Sequence, residues 1–186
     1  MSSAAAVRQA IAPVMLCSLA EARDAEHTGG KAAGLARLME HGVPVPDGVV
    51  LTRHAFESFL EPGQLGSRID TLWRGITDGS ADAARAVADD IRALVTAAPL
   101  PLAIEASLQR IARQLFPGFV AVRSSAIGED GAVASFAGQF DTVLHVHSLA
   151  GLRDALRQCY ASYWSARAIV YRRQRRLAGS GMAVVV

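Results

Sequence analysis

The spacing of apolar residues in the first third of the chain predicts one helix followed by one short strand. After Gly29-Gly30-Lys31, apolar positions recur at helical spacing until Gly42 ends the pattern: Ala32, Leu35, Ala36, Leu38 and Met39. Two X-Pro pairs in GVPVPDGVVL favour extended backbone, and Val49 to Leu51 have the pattern of a buried strand. Thr52 is expected to cap a second helix, which ends before Pro62.

The middle of the chain, from Leu65 to Phe116, has helical periodicity throughout. Turn residues divide it into three segments, centred on Ile69–Ile76, Ala83–Ala97 and Leu102–Phe116. We interpret this region as a helical insertion that packs on the rest of the domain. Its carboxylates are interpreted as a solvated face: Asp82, Asp89, Asp90 and Glu105.

The last third combines strands, a loop of small residues and a long helix. FVAVRSS predicts a strand, SAIGEDGAVASFAG a glycine-rich loop, and QFDTVLHV a half-buried edge strand. Leu149 to Leu177 is expected to be one helix, and MAVVV a final strand. Because the chain stops on an apolar strand, we expect it to be part of something longer.

These elements predict an α/β (α+β) fold in three consecutive units. Residues 18–64 form the helix and strand unit around GGK, residues 65–117 the helical insertion, and residues 118–186 the remaining strands, loop and helix. At 186 residues, the chain has the length of one domain.

Composition excludes several classes of protein. Apolar residues make up 51% and charged residues 19%, which is incompatible with wholesale disorder. The net charge of +2 is too small to indicate nucleic-acid binding by itself. No segment approaches the ~18 uninterrupted apolar residues of a membrane span, and no basic region precedes the short apolar N-terminal patch, so a cytoplasmic protein is expected. Cys17 and Cys159 are expected to be reduced thiols.

Lys31 is the single lysine among 19 basic residues, so arginine has been used almost everywhere that a cation is needed. A remaining lysine suggests a site that needs a compact ammonium group. It follows two glycines at a predicted helix start, where backbone N–H groups and the helix dipole favour an anion. The segment is no P-loop, because Ala32 stands where Ser or Thr would follow the lysine.

Arg123 is the second candidate for binding an anion. It stands in VAVRSS, at the predicted carboxyl end of a strand, where open α/β sheets bind ligands. Its guanidinium suits phosphate, Ser124 adds a hydroxyl, and the following loop could cover phosphates with its N–H groups. Lys31 and Arg123 together suggest a triphosphate site; a local salt bridge is the simpler alternative for Arg123.

Three blocks of sequence, in this order, carry a family resemblance: GGKAAGLARL with GVPVPDGVVLT, then VAVRSSAIGEDGAVASFAGQFDTVLHV, then CYASYWSARAIVYRR. They resemble the N-terminal nucleotide-binding region of the phosphoenolpyruvate synthase and pyruvate phosphate dikinase family, which includes rifampicin phosphotransferases. The resemblance implies that residues 1–186 are part of an ATP-grasp-type domain that holds ATP between two subdomains.

The resemblance also implies roles for individual residues. Lys31 and Arg123 would hold the phosphates, with Ser124 beside them, and the covering loop and strand would contribute Gly138, Gln139 and Thr142. The Mg²⁺ ligands are expected outside this chain. A histidine on a separate domain would carry the phosphoryl group to pyruvate, an antibiotic or another small acceptor. Gly131-Ala132-Val133 and Phe140 depart from the pattern of many relatives.

Other chemistry in the sequence has a simpler explanation. His145 and His147 share a strand face, but without a third ligand a solvated face is preferred. Asp24, Glu26 and His27 are interpreted as loop residues, and the pair Glu129-Asp130 as a turn cap. The last long helix holds seven arginines: Arg153, Arg157, Arg167, Arg172, Arg173, Arg175 and Arg176. Arg172 to Arg176 are expected to face solvent or the rest of the enzyme, with no nucleic acid or membrane as a partner.

Three functions remain open at this point. The first is the ATP-binding part of a synthase or dikinase, the second that of an antibiotic phosphotransferase, and the third a non-catalytic nucleotide-binding or interaction module. The isolated chain is expected to bind nucleotide weakly and to be catalytically inactive. The phosphoryl acceptor and the oligomeric state cannot be predicted from these residues.

Overall fold

A computed structural model describes residues 14–76, 81–128, 141–175 and 181–186, without the side chains of residues 81 and 173–175. Strands form at Leu16–Ser18 (β1), Val49–Leu51 (β2), Val120–Ala126 (β3), Thr142–Val146 (β4) and Met182–Val185 (β5). These strands form one sheet in the order β1-β2-β5-β3-β4. Each of the four pairings is antiparallel. The mixed α/β class is therefore confirmed, whereas the argument from the carboxyl ends of parallel strands does not apply.

Helices cover most of the remaining described chain: Ala25–Glu40 (α1), Arg53–Leu60 (α2), Leu65–Arg74 (α3), Ala81–Ala97 (α4), Leu102–Leu115 (α5), Leu149–Ser162 (α6) and Ala166–Arg175 (α7). Short 3-10 turns occur at Leu19–Glu21 and Pro62–Gln64. Thr52 stands at the N-cap of α2 as expected, although its hydroxyl donates to the carbonyl of Val14 at 2.6 Å.

The expected single helix from Leu149 to Leu177 is wrong, because the chain turns between α6 and α7. Tyr163 and Trp164 point into the core there and pack against Phe56, with ring centroids 5.2 and 5.5 Å away. The hydroxyl of Ser165 then accepts the backbone N–H of Ala168 at 3.2 Å and starts α7. Burying two aromatic rings therefore interrupts a sequence whose periodicity alone is compatible with one helix.

The sheet separates two hydrophobic cores of unequal size. The larger core packs α2 to α7 against one face, which presents Leu51, Val122, Met182 and Val184. The smaller core packs α1 and the Leu19–Glu21 turn against the other face, which presents Val50, Ala183 and Val185. We call the second face the α1 face. On the larger side, α4 packs against α6 and α7, α5 packs against α6, and α3 packs against α4.

Two expectations about surface charge are wrong. Glu105 is not simply solvated, since its carboxylate accepts the Nε of Arg153 at 2.9 and 3.0 Å. Arg172 does not face solvent. It is 5% exposed, its guanidinium stacks 4.1 Å from the centre of the Tyr163 ring, and it donates to the carbonyl of Tyr163 at 2.6 Å. Aromatic faces and a carbonyl thus replace a carboxylate as partners for this cation.

No single helix in the described ranges is long and apolar enough to cross a membrane. One bent pair of helices, Asp82–Ala97 with Leu102–Leu115, reaches that length and composition only when the two are combined.

Candidate functional site

Helix α1 begins earlier than the sequence predicts and is interrupted where the glycines stand. It starts at Ala25, with Asp24 as N-cap, and its helical geometry breaks at Gly29, where φ is +78° and ψ is 162°. Glycine adopts this backbone conformation without the steric cost that a Cβ imposes. The break gives α1 a second helical start at Gly30-Lys31, so the predicted helix start at GGK exists inside a longer element.

The backbone at this second helical start makes contacts with another part of the protein. The N–H of Ala32 donates to the hydroxyl of Ser125 at 3.2 Å, and Gly29 and Gly30 are buried. Gly29 permits close approach to strand β3: a Cβ placed on it would lie 2.3 Å from the carbonyl oxygen of Ser125. Strand β3 therefore takes the space beside Gly29, and this glycine does not make room for a phosphate.

Arg123 lies in the middle of β3 rather than at its end. It pairs with Val185 of β5 and with Thr142 of β4, so these three residues form a row across the sheet. Val185 packs with α1 in the smaller core, which places the row on the α1 face. Arg123 itself is exposed, in contrast to the buried serines that follow it.

Lys31 and Arg123 line the same groove, of about 590 Å³, between α1 and the sheet. Helix α1 contributes Lys31, Gly34, Leu35 and Leu38 to the wall, a spacing of three and four residues that places them on one side of the helix. Val185 contributes from the sheet and Arg37 adds a third cation. Among the described residues that line the groove, none is acidic.

This lining suits an anion that also carries an apolar part. The cations along this groove create a positive potential that attracts phosphate. Leu35, Leu38 and Val185 provide an apolar surface beside them. A Cβ placed on Gly34 meets nothing within 4 Å among the described residues, so the groove is open at that point.

Sequence reasoning missed Arg37, Gly34 and the two leucines as lining residues. The sequence does indicate three of them. Gly34, Leu35 and Leu38 follow Lys31 at intervals of three, four and seven residues, which places them on the same side of a helix. In the sequence analysis, Leu35 and Leu38 serve only as part of the apolar pattern that predicts the helix. Leu38 is in fact 44% exposed.

The remaining site residues of the sequence analysis divide into three groups. Thr142 is exposed and pairs with Arg123, so it lies beside the groove on the α1 face. Ser124 does not fit, because it lies on the opposite face, is 2% exposed and donates its hydroxyl to the carbonyl of Asp141 at 2.9 Å. Gly138 and Gln139 fall outside the described residues.

Asp24 caps α1, and Glu26 and His27 lie in its first turn, which corrects the interpretation of these three residues as loop residues. The carboxylate of Asp24 accepts the N–H of Glu26 at 2.8 Å and contacts Nδ1 of His27 at 2.7 Å. The contact with His27, followed by the bond from Glu26, holds the pKa of Asp24 below its ordinary value. Glu129 and Asp130, interpreted as a turn cap, fall outside the described residues.

His145 lies in an irregularity of β4, whereas His147 follows the last residue of the strand. Two residues of β4, Leu144 and His145, stand opposite Ala121 of β3, and His145 has φ of +59°. Both imidazoles lie against the exposed ring of Phe119, with centroids 6.2 and 5.5 Å away. Within the described ranges, no group of three or more candidate metal ligands comes together. The residues described here therefore do not fit a metal centre.

Comparison with known proteins identifies the family. A family model of the pyruvate phosphate dikinase AMP/ATP-binding domain matches residues 25–186. The chain belongs to this family. The resemblance seen in GGK, RSS and the last long helical region is thereby confirmed, as is the expectation of an ATP-binding domain.

The individual relatives that contain this domain are much longer proteins. The chain is 34% identical over 166 residues to a probable phosphoenolpyruvate synthase of Methanothermobacter thermautotrophicus, covering 85% of the chain and 24% of that protein. It is 40% identical over 147 residues to a rifampicin phosphotransferase of a Streptomyces species, covering 77% of the chain and 17% of that protein. It is 35% identical over 159 residues to the prodigiosin synthesizing transferase PigC of Serratia marcescens, covering 85% and 16%. The chain thus spans a quarter or less of the length of these relatives.

Proposed function

We propose that the groove between α1 and the sheet binds the phosphates of ATP, with Lys31 and Arg123 as the principal cations. The observation that carries this proposal is that these two cationic residues, far apart in sequence, line one groove together. Family membership supports ATP as the ligand. Thr142, beside Arg123 in the sheet, is proposed to contribute a hydroxyl.

The two cations act by different chemistry. The Lys31 ammonium is a compact charge, whereas the Arg123 guanidinium offers several donors in one plane and can contact two phosphate oxygens together. Arg123 is held by ladder pairing on both sides of β3, so its base is rigid. Fixed cations of this kind would neutralise charge on a phosphoryl group that is being transferred.

We propose further that this ATP-grasp-type domain is the ATP-binding part of a phosphotransferase. The reaction would pass a phosphoryl group from ATP, through a histidine on a separate domain, to pyruvate or another small acceptor. The relatives named as phosphoenolpyruvate synthases support this acceptor class, and the family supports dikinase-type transfer. Mg²⁺ would be held by residues outside this chain. A cytoplasmic location remains a prediction of the sequence.

A second candidate function is the ATP-binding part of an antibiotic phosphotransferase. It is supported by the 40% identity to the rifampicin phosphotransferase of a Streptomyces species. The ATP chemistry of the two candidates would be the same, and they would differ in the acceptor. A non-catalytic nucleotide-binding module stays open as the third candidate. We expect the 186-residue chain alone not to hydrolyse ATP, and measurable hydrolysis would contradict the need for other domains.

Binding of ATP to variants of the chain tests the proposal. We expect Lys31→Ala and Arg123→Ala each to weaken binding by about tenfold or more, because each removes a charge-assisted contact to phosphate. Calorimetry or an NMR titration at low ionic strength would measure the effect, and added salt should weaken wild-type binding. Arg110→Ala is the matched control, since Arg110 is an exposed arginine of α5, outside the groove lining.

The outcomes separate the proposal from its alternatives. The phosphate site is supported if both groove variants lose affinity for ATP while the affinity of Arg110→Ala stays within about twofold of wild type. Unchanged affinity in Lys31→Ala or in Arg123→Ala contradicts the role of that residue. In a longer parent protein, Lys31→Ala should abolish phosphoryl transfer without unfolding the domain.

A further inference from the structure

Ser125 joins the two elements that carry the candidate cations. It lies two positions after Arg123 on β3 and pairs with Ala183, a residue of the smaller core, so its side chain is on the α1 face. It is 0% exposed, and its hydroxyl accepts the N–H of Ala32 at 3.2 Å. A strand residue therefore contacts the helical turn that begins with Lys31.

The contact replaces the side-chain N-cap that the second helical start of α1, after Gly29, lacks. With Gly29 as the break, Ala32 is the third residue of the new helical start, whose N–H an N-cap side chain normally accepts. Glycine has no side chain to do so, and the hydroxyl of Ser125 takes its place from another element. Since Ser125 belongs to a strand paired on both sides, this cap has a fixed position in the sheet.

The close approach at Gly29 makes the contact specific. A Cβ on Gly29 would lie 2.3 Å from both the carbonyl oxygen and the hydroxyl of Ser125. The break in α1 is therefore packed directly on the residue that caps the turn after it. Lys31 stands between Gly29 and Ala32, so its backbone position is determined from both sides by Ser125.

We propose that Ser125 is a positioning residue for nucleotide binding, which holds Lys31 at the distance from Arg123 that phosphates require. This inference rests on the proposed function of the groove. Removing the hydroxyl leaves a buried N–H of Ala32 without this acceptor and releases the turn that carries Lys31. Ser125 then affects affinity through Lys31, and not through a contact of its own with ATP.

A double-mutant cycle on the full 186-residue chain tests this dependence, with ATP as the probe in an NMR titration. We expect Ser125→Ala to weaken binding about fivefold, the scale of a lost cap. In a Lys31→Ala background the same substitution should have no further effect, whereas in an Arg123→Ala background the fivefold loss should persist. A merely structural role would give the same loss in both backgrounds.

Controls separate positioning from general destabilisation. Ser107→Ala removes another buried serine hydroxyl, which donates to the carbonyl of Ala103 at 2.9 Å in α5, and should lower stability without changing affinity. If Ser125→Ala does not fold, Ser125→Cys carries the test, because it keeps one heavy atom on Cβ and replaces the hydroxyl oxygen with a weaker acceptor. Hydrogen exchange at the Ala32 amide should be faster in either variant.

Three results would overturn the inference, and they differ from one another. Equal losses for Ser125→Ala in both backgrounds show that Lys31 does not transmit the effect. Unchanged exchange at Ala32 shows that the hydroxyl does not hold this turn. A wild-type chain that binds no ATP removes the proposed function itself, and the positioning role with it.

Discussion

The two faces of the sheet are built from different residues: one borders the larger hydrophobic core, and the other carries the candidate cations. The larger face borders a core to which six helices contribute side chains, among them the large residues Leu156, Tyr160 and Ile169, all 0% exposed. The α1 face packs against a single helix, mainly through Ala32 and Ala36. These small side chains allow α1 to lie close to the strands. Where Gly34 faces outward, the space between α1 and the sheet opens into the groove. One face therefore supplies most of the buried area, and the other presents the cations.

This division predicts that substitutions on the two faces will separate stability from binding. The larger side of the sheet holds the buried aromatic rings, the thiol of Cys159 and the buried guanidinium of Arg172. The α1 face holds exposed Arg123 and half-buried Lys31 at the edge of a thin core. Four tests follow from this contrast, in order of expected effect.

Leu156→Ala should produce the largest loss of stability. Leu156 is fully buried on α6 in the larger core, and truncating such a side chain costs about 3 kcal/mol of unfolding free energy. Urea denaturation would measure this cost. Under conditions where the variant is folded, its affinity for ATP should equal that of wild type. A selective loss of affinity would contradict the separation of the two faces.

Two glycines of α1 provide a matched pair on the other face. Gly29→Ala should cost at least about 2 kcal/mol, because its φ of +78° disfavours a Cβ and strand β3 occupies the space. Gly34→Ala should stabilise by about 1 kcal/mol, because Gly34 is helical and open. Thermal or urea unfolding would compare the two. Equal effects would show that the break at Gly29 is not needed.

Alkaline pH should lower the unfolding free energy of the protein through Cys159, which is buried in the larger core. Burial, followed by the charge of Asp141, raises the pKa of Cys159 from its ordinary value near 9 to about 12. Because the folded pKa is above the unfolded one, this contribution is intact below about pH 9 and is lost as pH rises towards 12. The slope is about 1.4 kcal/mol per pH unit for one proton.

Cys159→Ala should flatten the dependence of unfolding free energy on pH above 9. Cys17→Ala is the control, since Cys17 is half-buried on β1 and its pKa is also raised, first by burial and then by Glu21. Its effect on the slope should be the smaller of the two. An unchanged slope in Cys159→Ala would mean that this thiol is ionised as easily in the folded protein as in the unfolded one.

Local pattern predicted much of the secondary structure, since β2, β3 and the end of α1 follow from apolar spacing and from Gly42. The pairing of strands could not be predicted, because antiparallel neighbours such as Val185 and Arg123 are distant in sequence. Alternation places Ser124 and Ser125 on opposite faces, but which of them meets α1 depends on tertiary packing. The break at Gly29 likewise depends on a strand that lies almost a hundred residues away.

The candidate cations were identified by their context more than by charge. Lys31 is the single lysine and follows two glycines, and Arg123 precedes two serines. Arg37, which lines the same groove, is one of many arginines and gave no such signal. The burial of Arg172 was missed for a related reason, because stacking on Tyr163 and Trp73 requires three separate segments to meet.

Mapping ATP onto the folded chain by backbone amide NMR tests the central claim most directly. We predict saturable shifts that concentrate on Gly30 to Leu38 of α1, on Arg123 and on Val185, and that shrink when salt is added. Amides of α3 and α5 should stay unchanged. Shifts centred on those helices, or none that saturate, would contradict a phosphate site on the α1 face.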